Sequence, residues 1–290
     1  MNFSVIVPTY NRLELLKKTL HTLFSQQYEG YEIIVVNDGS TDGTHEFLST
    51  LSAKSGIRYL HHPNCGLAAS RKAGLNAAQG TYVAFLDDDC IVPSDWLQKF
   101  EHHFHEDKIA GIGGRAVNGN SSNLFAAAND MINEYLKSAV NHPGVTVPFL
   151  TGNNIAYRRD ILNRVGGPDA RFRMGAEDRD LLLRVVSVGG TMMYDPEITV
   201  MHYNDSDFRR FVKHQYDQGK GSQLYYRVHR HAAVRPRPYS LGVYAGLLGH
   251  PFRSDSFSKA VALCCLIIVA QLAVAAGYVA GLLACAAGKR

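Results

Sequence analysis

Residues 81–97 read TYVAFLDDDCIVPSDWL. Tyr82 to Leu86 form an apolar run suited to a buried strand, and Asp87, Asp88 and Asp89 follow it without a break. Adjacent carboxylates repel one another and are expensive to bury unpaired, so the end of this strand has to meet positive charge. Side chains alternate faces along a strand, which puts Asp87 and Asp89 on one side and Asp88 on the other. Two carboxylates on one side of a strand end suit a hard divalent cation, Mg²⁺ or Mn²⁺, whose shell is completed by water and phosphate oxygens. An acidic turn capping a helix that begins near Pro93-Ser94-Asp95 accounts for the same triplet.

Outward from this stretch, strand and helix alternate. FSVIVPTY (3–10) is an apolar run, and NRLELLKKTLHTLFSQ (11–26) puts Leu13, Leu16, Leu20, Leu23 and Phe24 on one helical face. YEIIVVND (31–38) is a second strand ending at Asp38, followed by a helix through Phe47, Leu48 and Leu51 and a short strand at IRYLHH (57–62). GLAASRKAGLNAAQG (66–80) is a helix opened by Gly66 and closed by Gly80. Repeated β-α-β units predict a Rossmann-like α/β fold, a mostly parallel sheet flanked by helices. Ligands bind such sheets at the carboxyl ends of the strands, where Pro8, Thr9, Tyr10, Asp38 and the three aspartates fall.

Beyond residue 120 the pattern predicts a helix at 122–140 and, after GGPDARFRMGAED (166–178), a helix turning Leu181, Leu182, Val185 and Val188 inward. TMMYDPEITVMHYND (191–205) reads as a last strand pair. Two late segments differ in kind. Arg209 to Arg237 holds eight Lys or Arg residues against one acid, Asp217, with aromatics interleaved. Ala260 to Gly288 is 29 residues without a charge. The second is long enough to cross a bilayer once with tilt, and the first would then lie at the cytosolic headgroups. A buried soluble helix and a solvated basic face are the alternatives. Gly277 and Gly281 form a GxxxG pair that hints at helix pairing, with a homodimer as one form of it.

Bulk properties narrow the class. A chain of 290 residues with 46% hydrophobic and 19% charged residues folds rather than staying disordered. The net charge of +4 is too mild to imply nucleic acid. Five cysteines in no metal-ligand spacing suit a reducing compartment, and MNFSVIVPTYNR shows no leader, so the globular part is expected in the cytosol. His102, His103 and His105 read as a solvated helix surface rather than a zinc site. No P-loop or G-x-G-x-x-G motif is present.

Several strand-end residues suit a nucleotide diphosphate. Gly66 opens a helix carrying Arg71 and Lys72, and a helix N-terminus with cations nearby attracts phosphate, although surface solvation explains both cations as well. Asp38 suits a base or ribose, or simply an Asx-type turn. Glu177 and Asp178 stand at a helix start, where the dipole keeps a carboxylate ionised and where an N-cap would equally place Asp.

As a set and in order, VPTYNR, VVNDGSTD, GLAASRKAGL, FLDDDC, TGNNIAYRR and GAEDRDLLLR resemble the family 2 glycosyltransferases of the GT-A fold, over about residues 3 to 204. The resemblance implies inverting sugar transfer from a nucleotide-sugar. Pro8, Thr9, Tyr10 and Asp38 resemble contacts to base and ribose. Arg71 resembles the basic residue near the diphosphate, with Gly66, Asp87 and Asp88 on the same nucleotide-sugar side. Asp87 and Asp89 fill the ends of the D-x-D motif, and His202 resembles a histidine completing the Mn²⁺ or Mg²⁺ site, unless it is a structural histidine. Gly152, Asn153 and Asn154 resemble the sugar and acceptor loop. Asp178 resembles the catalytic base, with Glu177 beside it.

The expected organisation is a GT-A domain over 1–205, with a nucleotide half to about 117 and an acceptor half beyond. A basic aromatic juxtamembrane region, 206–255, and a membrane-anchoring segment, 256–290, follow. The expected donor is a UDP-sugar, with GDP- or dTDP-sugars as alternatives. The expected acceptor is a glycan or lipid-linked molecule of envelope polysaccharide or glycolipid synthesis, a polyprenyl phosphate among them. The expected place is the cell membrane with catalysis on the cytoplasmic side. A nucleotidyltransferase and an inactive nucleotide-binding membrane scaffold are the rival classes.

Overall fold

The computed structural model describes residues 2–106, 108–141, 145, 147–173, 175–232, 234–235, 238–253 and 255–287. Arg237, Gly288, Lys289 and Arg290, at the ends of the basic and apolar runs, lie outside the described residues. The chain divides into two units: Met1–Val117, Leu150–Arg173 and Glu177–Tyr203 form the first, and Asn118–Phe149, Met174–Ala176 and Asn204–Arg290 the second.

The first unit is built on an eight-stranded sheet. Its strands are β1 (Phe3–Thr9), β2 (Tyr31–Asn37), β3 (Arg58–His61), β4 (Tyr82–Leu86), β5 (Cys90–Ile91), β6 (Ile109–Asn118), β7 (Asn154–Arg158) and β8 (Thr191–His202). They lie in the order β3-β2-β1-β4-β7-β6-β8-β5. The first four are parallel neighbours, joined by the helices α1 (Leu13–Phe24), α2 (Thr44–Ser55) and α3 (Leu67–Ala77). From β4 onward the pairings with β7, of β6 with β7 and of β5 with β8 are antiparallel. The helical crossovers of the first hundred residues return the chain to the same end of the sheet and join parallel neighbours.

β1 is buried along its whole length, as a central strand covered on both faces must be. α1 turns Leu16, Leu20 and Leu23 onto the sheet. Phe24, expected with them, is 44% exposed, because it sits one step past Leu23 and about 100° further round the helix. α4 (Trp96–Phe104) packs Trp96, Leu97, Phe100 and Phe104 into the same core. A short α6 (Arg159–Arg164) precedes α7 (Glu177–Ser187), which buries Leu181, Leu182 and Val185. Val188, expected inward, lies beyond the helix end and is 40% exposed. Residues 191–202, read as a strand pair, form the single strand β8; Pro196 lies within it without breaking it.

The second unit is helical: α5 (Leu124–Val140), α8 (Phe208–Val228), α9 (Leu241–Gly249), a 3₁₀ turn (His250–Arg253) and α10 (Phe257–Ala286). Its core joins Ala128 and Ile132 to Phe211, Leu247, Leu263 and Ile267. Most of the basic stretch is therefore helix, capped by Asp207, whose side chain accepts from the Arg210 amide (2.7 Å). α8 and α10 touch backbone to backbone. A Cβ on Gly277 would overlap the Tyr216 carbonyl, and one on Gly219 the Val274 carbonyl. The Gly277 pairing hint thus finds its partner in α8 of the same chain. α10 is long and apolar enough to cross a membrane.

Candidate functional site

Each of the three aspartates after β4 meets a cation, and Arg12 serves two of them. Asp87 accepts from Arg71 Nη2 (2.7 Å). Asp88 accepts from Thr9 Oγ1 (2.7 Å) and Arg12 Nη1 (3.2 Å). Asp89 accepts from Arg12 Nη1 (2.8 Å) and stands 3.2 Å from His202 Nε2. The elements explain the partition. β1 ends at Thr9 beside β4, and α1 starts immediately after Arg12, so a cation arrives over the acidic turn. β5 pairs with β8 so that Cys90 opposes His202, and the Tyr203 amide donates to the Asp89 carbonyl (2.8 Å), which fixes the histidine beside Asp89.

Asp88 and Asp89 are buried. Burial pushes the Asp88 carboxyl up to about 7, against the opposing pull of Arg12. Burial pushes Asp89 the same way, but His202 and Arg12 outweigh it and hold Asp89 below the ordinary carboxylate range. Burial likewise works against charge on His202, and Asp89 outweighs it, so the imidazole titrates above its usual value.

Asp89, Cys90 and His202 bring ligand atoms within 4.8 Å of one another. The Cys90 thiol, pushed far up by burial, stays protonated and is a poor donor to a hard cation. Asp89 oxygen and His202 nitrogen fit Mn²⁺ or Mg²⁺ as part of a shell that water or phosphate completes. Asp87, on the expected face, is instead held by Arg71 and is not in this cluster.

Arg71 organises the second half of the site. It is buried, donates from Nη2 to Asp87 and to the Gly152 carbonyl (2.8 Å), and from Nη1 to Glu177 Oε1 (3.1 Å), while its Nε is buried without a partner. A Cβ on Gly152 would stand 2.5 Å from Arg71 Nη1, so a side chain here would push the guanidinium off its present partners. Glu177, at the start of α7, is buried; burial first and Asp178 second push it up to about 7, with Arg71 opposing. Asp178 is half-buried and accepts from the Gly152 amide (3.3 Å) and the Arg179 amide (2.8 Å). Just before this pair Ala176 has φ 67, a left-handed conformation that costs a residue with a Cβ and accumulates at functional sites. A small apolar hollow walled by Phe85, Ile155 and Tyr157 is also lined by Arg71, Glu177 and Asp178.

The remaining expected residues have definite places. Asp38 closes β2, and its carboxylate is taken up by the Cys65 (2.7 Å) and Gly66 (2.9 Å) amides, which shapes the turn that opens α3. Thr9 is buried, Tyr10 is 48% exposed, and Pro8 pairs with Val36 inside the sheet. Thr151 Oγ1 and Asn153 Oδ1 are buried without a partner, two polar atoms with capacity for a ligand. Asn154 differs from its neighbours. Its amide donates to the Arg115 (3.0 Å) and Ile198 (2.8 Å) carbonyls and accepts from Trp96 Nε1 (2.9 Å), so it ties β6, β7, β8 and α4 together. That fully satisfied side chain faces the sheet rather than a sugar, a correction to the expectation from TGNN. Arg12 is a further site residue, and its place three residues after the end of β1 is the sequence signal for it.

A family model described as "Glycosyl transferase family 2" matches residues 4–166. Pre-mycofactocin glycosyltransferase of Mycobacterium tuberculosis is 29% identical over 214 residues, 72% of this chain and 44% of that protein. Glycosyltransferase AglE of Haloferax volcanii is 27% identical over 259 residues, 86% of this chain and 82% of that protein. The chain thus spans less than half the length of the first of these relatives. The mannosyltransferase PcManGT from Pyrobaculum calidifontis, solved in complex with GDP-Man and Mn²⁺, shares the fold with a TM-score of 0.64 at 18% identity, over 97% of this chain and 87% of that one.

Proposed function

The chain belongs to glycosyl transferase family 2, and from that membership we propose that it moves a sugar, with inversion, from a nucleotide-sugar held with Mn²⁺ or Mg²⁺ to a lipid-linked acceptor at a membrane. The observation that carries this is the pair of the buried Asp89 and the half-buried His202, 3.2 Å apart at the carboxyl edge of the sheet, with Arg12 on its other side.

When bound, the cation would neutralise charge developing on the departing diphosphate. Asp89 and His202 would hold it. Asp178 is the base: Glu177 is engaged by Arg71, whereas the half-buried Asp178 carboxylate, at the start of α7, accepts from two backbone amides and is left to face an acceptor. It takes the acceptor proton as the acceptor oxygen bonds to the anomeric carbon and the bond to the diphosphate breaks on the opposite face. Arg71 tethers Asp87 and Glu177, and its Nε–H is what it retains to offer a phosphate. Tyr10, exposed after β1, offers a face to the nucleotide base, while Thr9 and Asp38 build the rim behind it. A mannosyltransferase of the same fold solved with GDP-Man and Mn²⁺ supports the donor class. The apolar α10 supports the membrane.

A thermal-shift panel of UDP-, GDP- and dTDP-sugars with and without Mn²⁺ tests the proposal. We expect a cation-dependent stabilisation by one nucleotide class, about 2.7 kcal/mol at a hundredfold excess over Kd, and release of nucleoside diphosphate on turnover. No shift with any donor, or release of pyrophosphate, would overturn it.

A further inference from the structure

Along α10 the residues buried in the second unit recur as Ala260, Leu263, Ile267, Ala270, Ala273 and Gly277. The opposite side carries Phe257, Val261, Ile268, Leu272, Val279 and Leu283, which are between 40% and 78% exposed. Their spacing draws one stripe down the helix. Phe252, 48% exposed, extends it, its ring 6.2 Å from that of Phe257, and Arg253 and Lys259 stand exposed beside the two rings.

A helix of this length and composition ordinarily crosses a bilayer, but its neighbour opposes that here. α8 runs alongside it in the same direction. Phe211 shares a cluster with Leu263, Ile267 and Ala270, Gly219 closes on Val274, Gly281 meets Gln223, and Arg227 Nη1 donates to Cys285 Sγ (2.8 Å). Over that stretch α8 carries Arg209, Arg210, Lys213, Lys220 and Arg227. Any segment of α10 of about 20 residues placed across the hydrocarbon would draw these charges in with it.

We propose that α10 lies in the plane of an anionic phospholipid surface, its exposed stripe among the acyl chains and α8 at headgroup level, rather than crossing the bilayer. The charge of α8 fits this arrangement. Its five Lys or Arg residues outnumber its one acid, Asp217, which pairs with Lys213 (2.5 Å). The excess cations would meet lipid phosphates, with Arg253 doing the same before α10, where Lys259 pairs with Asp255 (2.7 Å). The proposal rests on the membrane part of the proposed function and not on its transfer chemistry.

Flotation of the full chain with preformed phosphatidylglycerol–phosphatidylcholine vesicles tests it. We expect protein added from outside to bind without detergent, to bind weakly to pure phosphatidylcholine, and to be released by alkaline carbonate. Leu272→Glu and Leu283→Glu should each weaken binding about tenfold or more, with unchanged circular dichroism and unchanged stabilisation by nucleotide-sugar. Carbonate-resistant protein whose Cys285 is shielded from an impermeant maleimide on one side of the membrane would overturn the proposal in favour of a span. A stable dimer dissolved by the same substitutions, with no vesicle binding, would overturn it in favour of a second copy. A chain that floats but binds no nucleotide-sugar would leave the docking standing and overturn the transfer reading alone.

Discussion

His202 Nε2 lies 3.2 Å from Asp89 Oδ1, and the pairing of Cys90 with His202 in the last two strands holds it there. Burial opposes charge on both groups, and each keeps its charge through the other. A divalent cation entering at Asp89 therefore competes with the imidazole proton and with Arg12 for one carboxylate.

Asp89→Ala is expected to abolish the Mn²⁺-dependent stabilisation by nucleotide-sugar and to lower transfer by about 100-fold or more. His202→Ala is expected to weaken Mn²⁺ about tenfold and to cost about 1–3 kcal/mol in cation-free buffer, because the buried Asp89 loses a charged partner. Titration of Mn²⁺ against Tm, with and without donor, reads both. An unchanged Mn²⁺ midpoint in His202→Ala removes the histidine from the metal site.

Arg12→Ala leaves the buried Asp88 with Thr9 as its side-chain partner and removes the cation that contacts Asp89. Stability is expected to fall by about 1–3 kcal/mol in metal-free buffer, as it does when a buried polar group loses a partner. Mn²⁺ should then raise Tm more than it does in the wild type, because the ion no longer competes with a guanidinium. Equal Mn²⁺ shifts in both proteins would show that Arg12 and the ion do not share Asp89.

Gly152→Ala places a methyl group 2.5 Å from Arg71 Nη1. Arg71 is long, but its bonds to Asp87, Glu177 and the Gly152 carbonyl leave it no slack. The substitution is expected to cost about 1–3 kcal/mol and most of the activity. Chemical denaturation and a transfer assay check it. A fully active, fully stable variant would show that Arg71 is free to move.

Glu177 supplies a pH test. Its folded-state carboxyl is raised from 4.5 to about 7 by burial, and then by Asp178, so the folded protein favours the protonated form. Its contribution to stability is present in full below about pH 4.5 and is lost as the pH rises through about 7. In metal-free buffer, Tm should fall by several degrees between about pH 5 and pH 8. Glu177→Gln should flatten part of that slope, and the remainder belongs to Asp88, which is raised to about 7, and to His202, which is raised above its usual value. The same slope in both proteins would mean that Glu177 is ionised throughout.

The first hundred residues were legible because their order is set locally. The apolar runs at 3–9, 31–37 and 82–86 and the helical stripe of Leu16, Leu20 and Leu23 require only chain periodicity to place Asp38 and the aspartates at the carboxyl ends of parallel strands. The apolar character of α10 was equally plain, since it is a matter of composition. Tertiary structure decided which charges meet. Strand alternation assigned Asp87 and Asp89 to one ion, yet Arg71 arrives from α3 to take Asp87, and Arg12 and His202 arrive from opposite ends of the unit to take Asp89. Asn153 and Asn154 are adjacent in one motif, but only Asn154 lies where three carbonyl and indole partners satisfy it. The proposed in-plane orientation of α10 likewise depends on its neighbour, because the cost of crossing a membrane includes the charges of whatever helix is packed against it. A sequence displays residue type and period directly. Which carboxylate faces which cation depends on burial and distance, and those exist only once the chain has closed on itself.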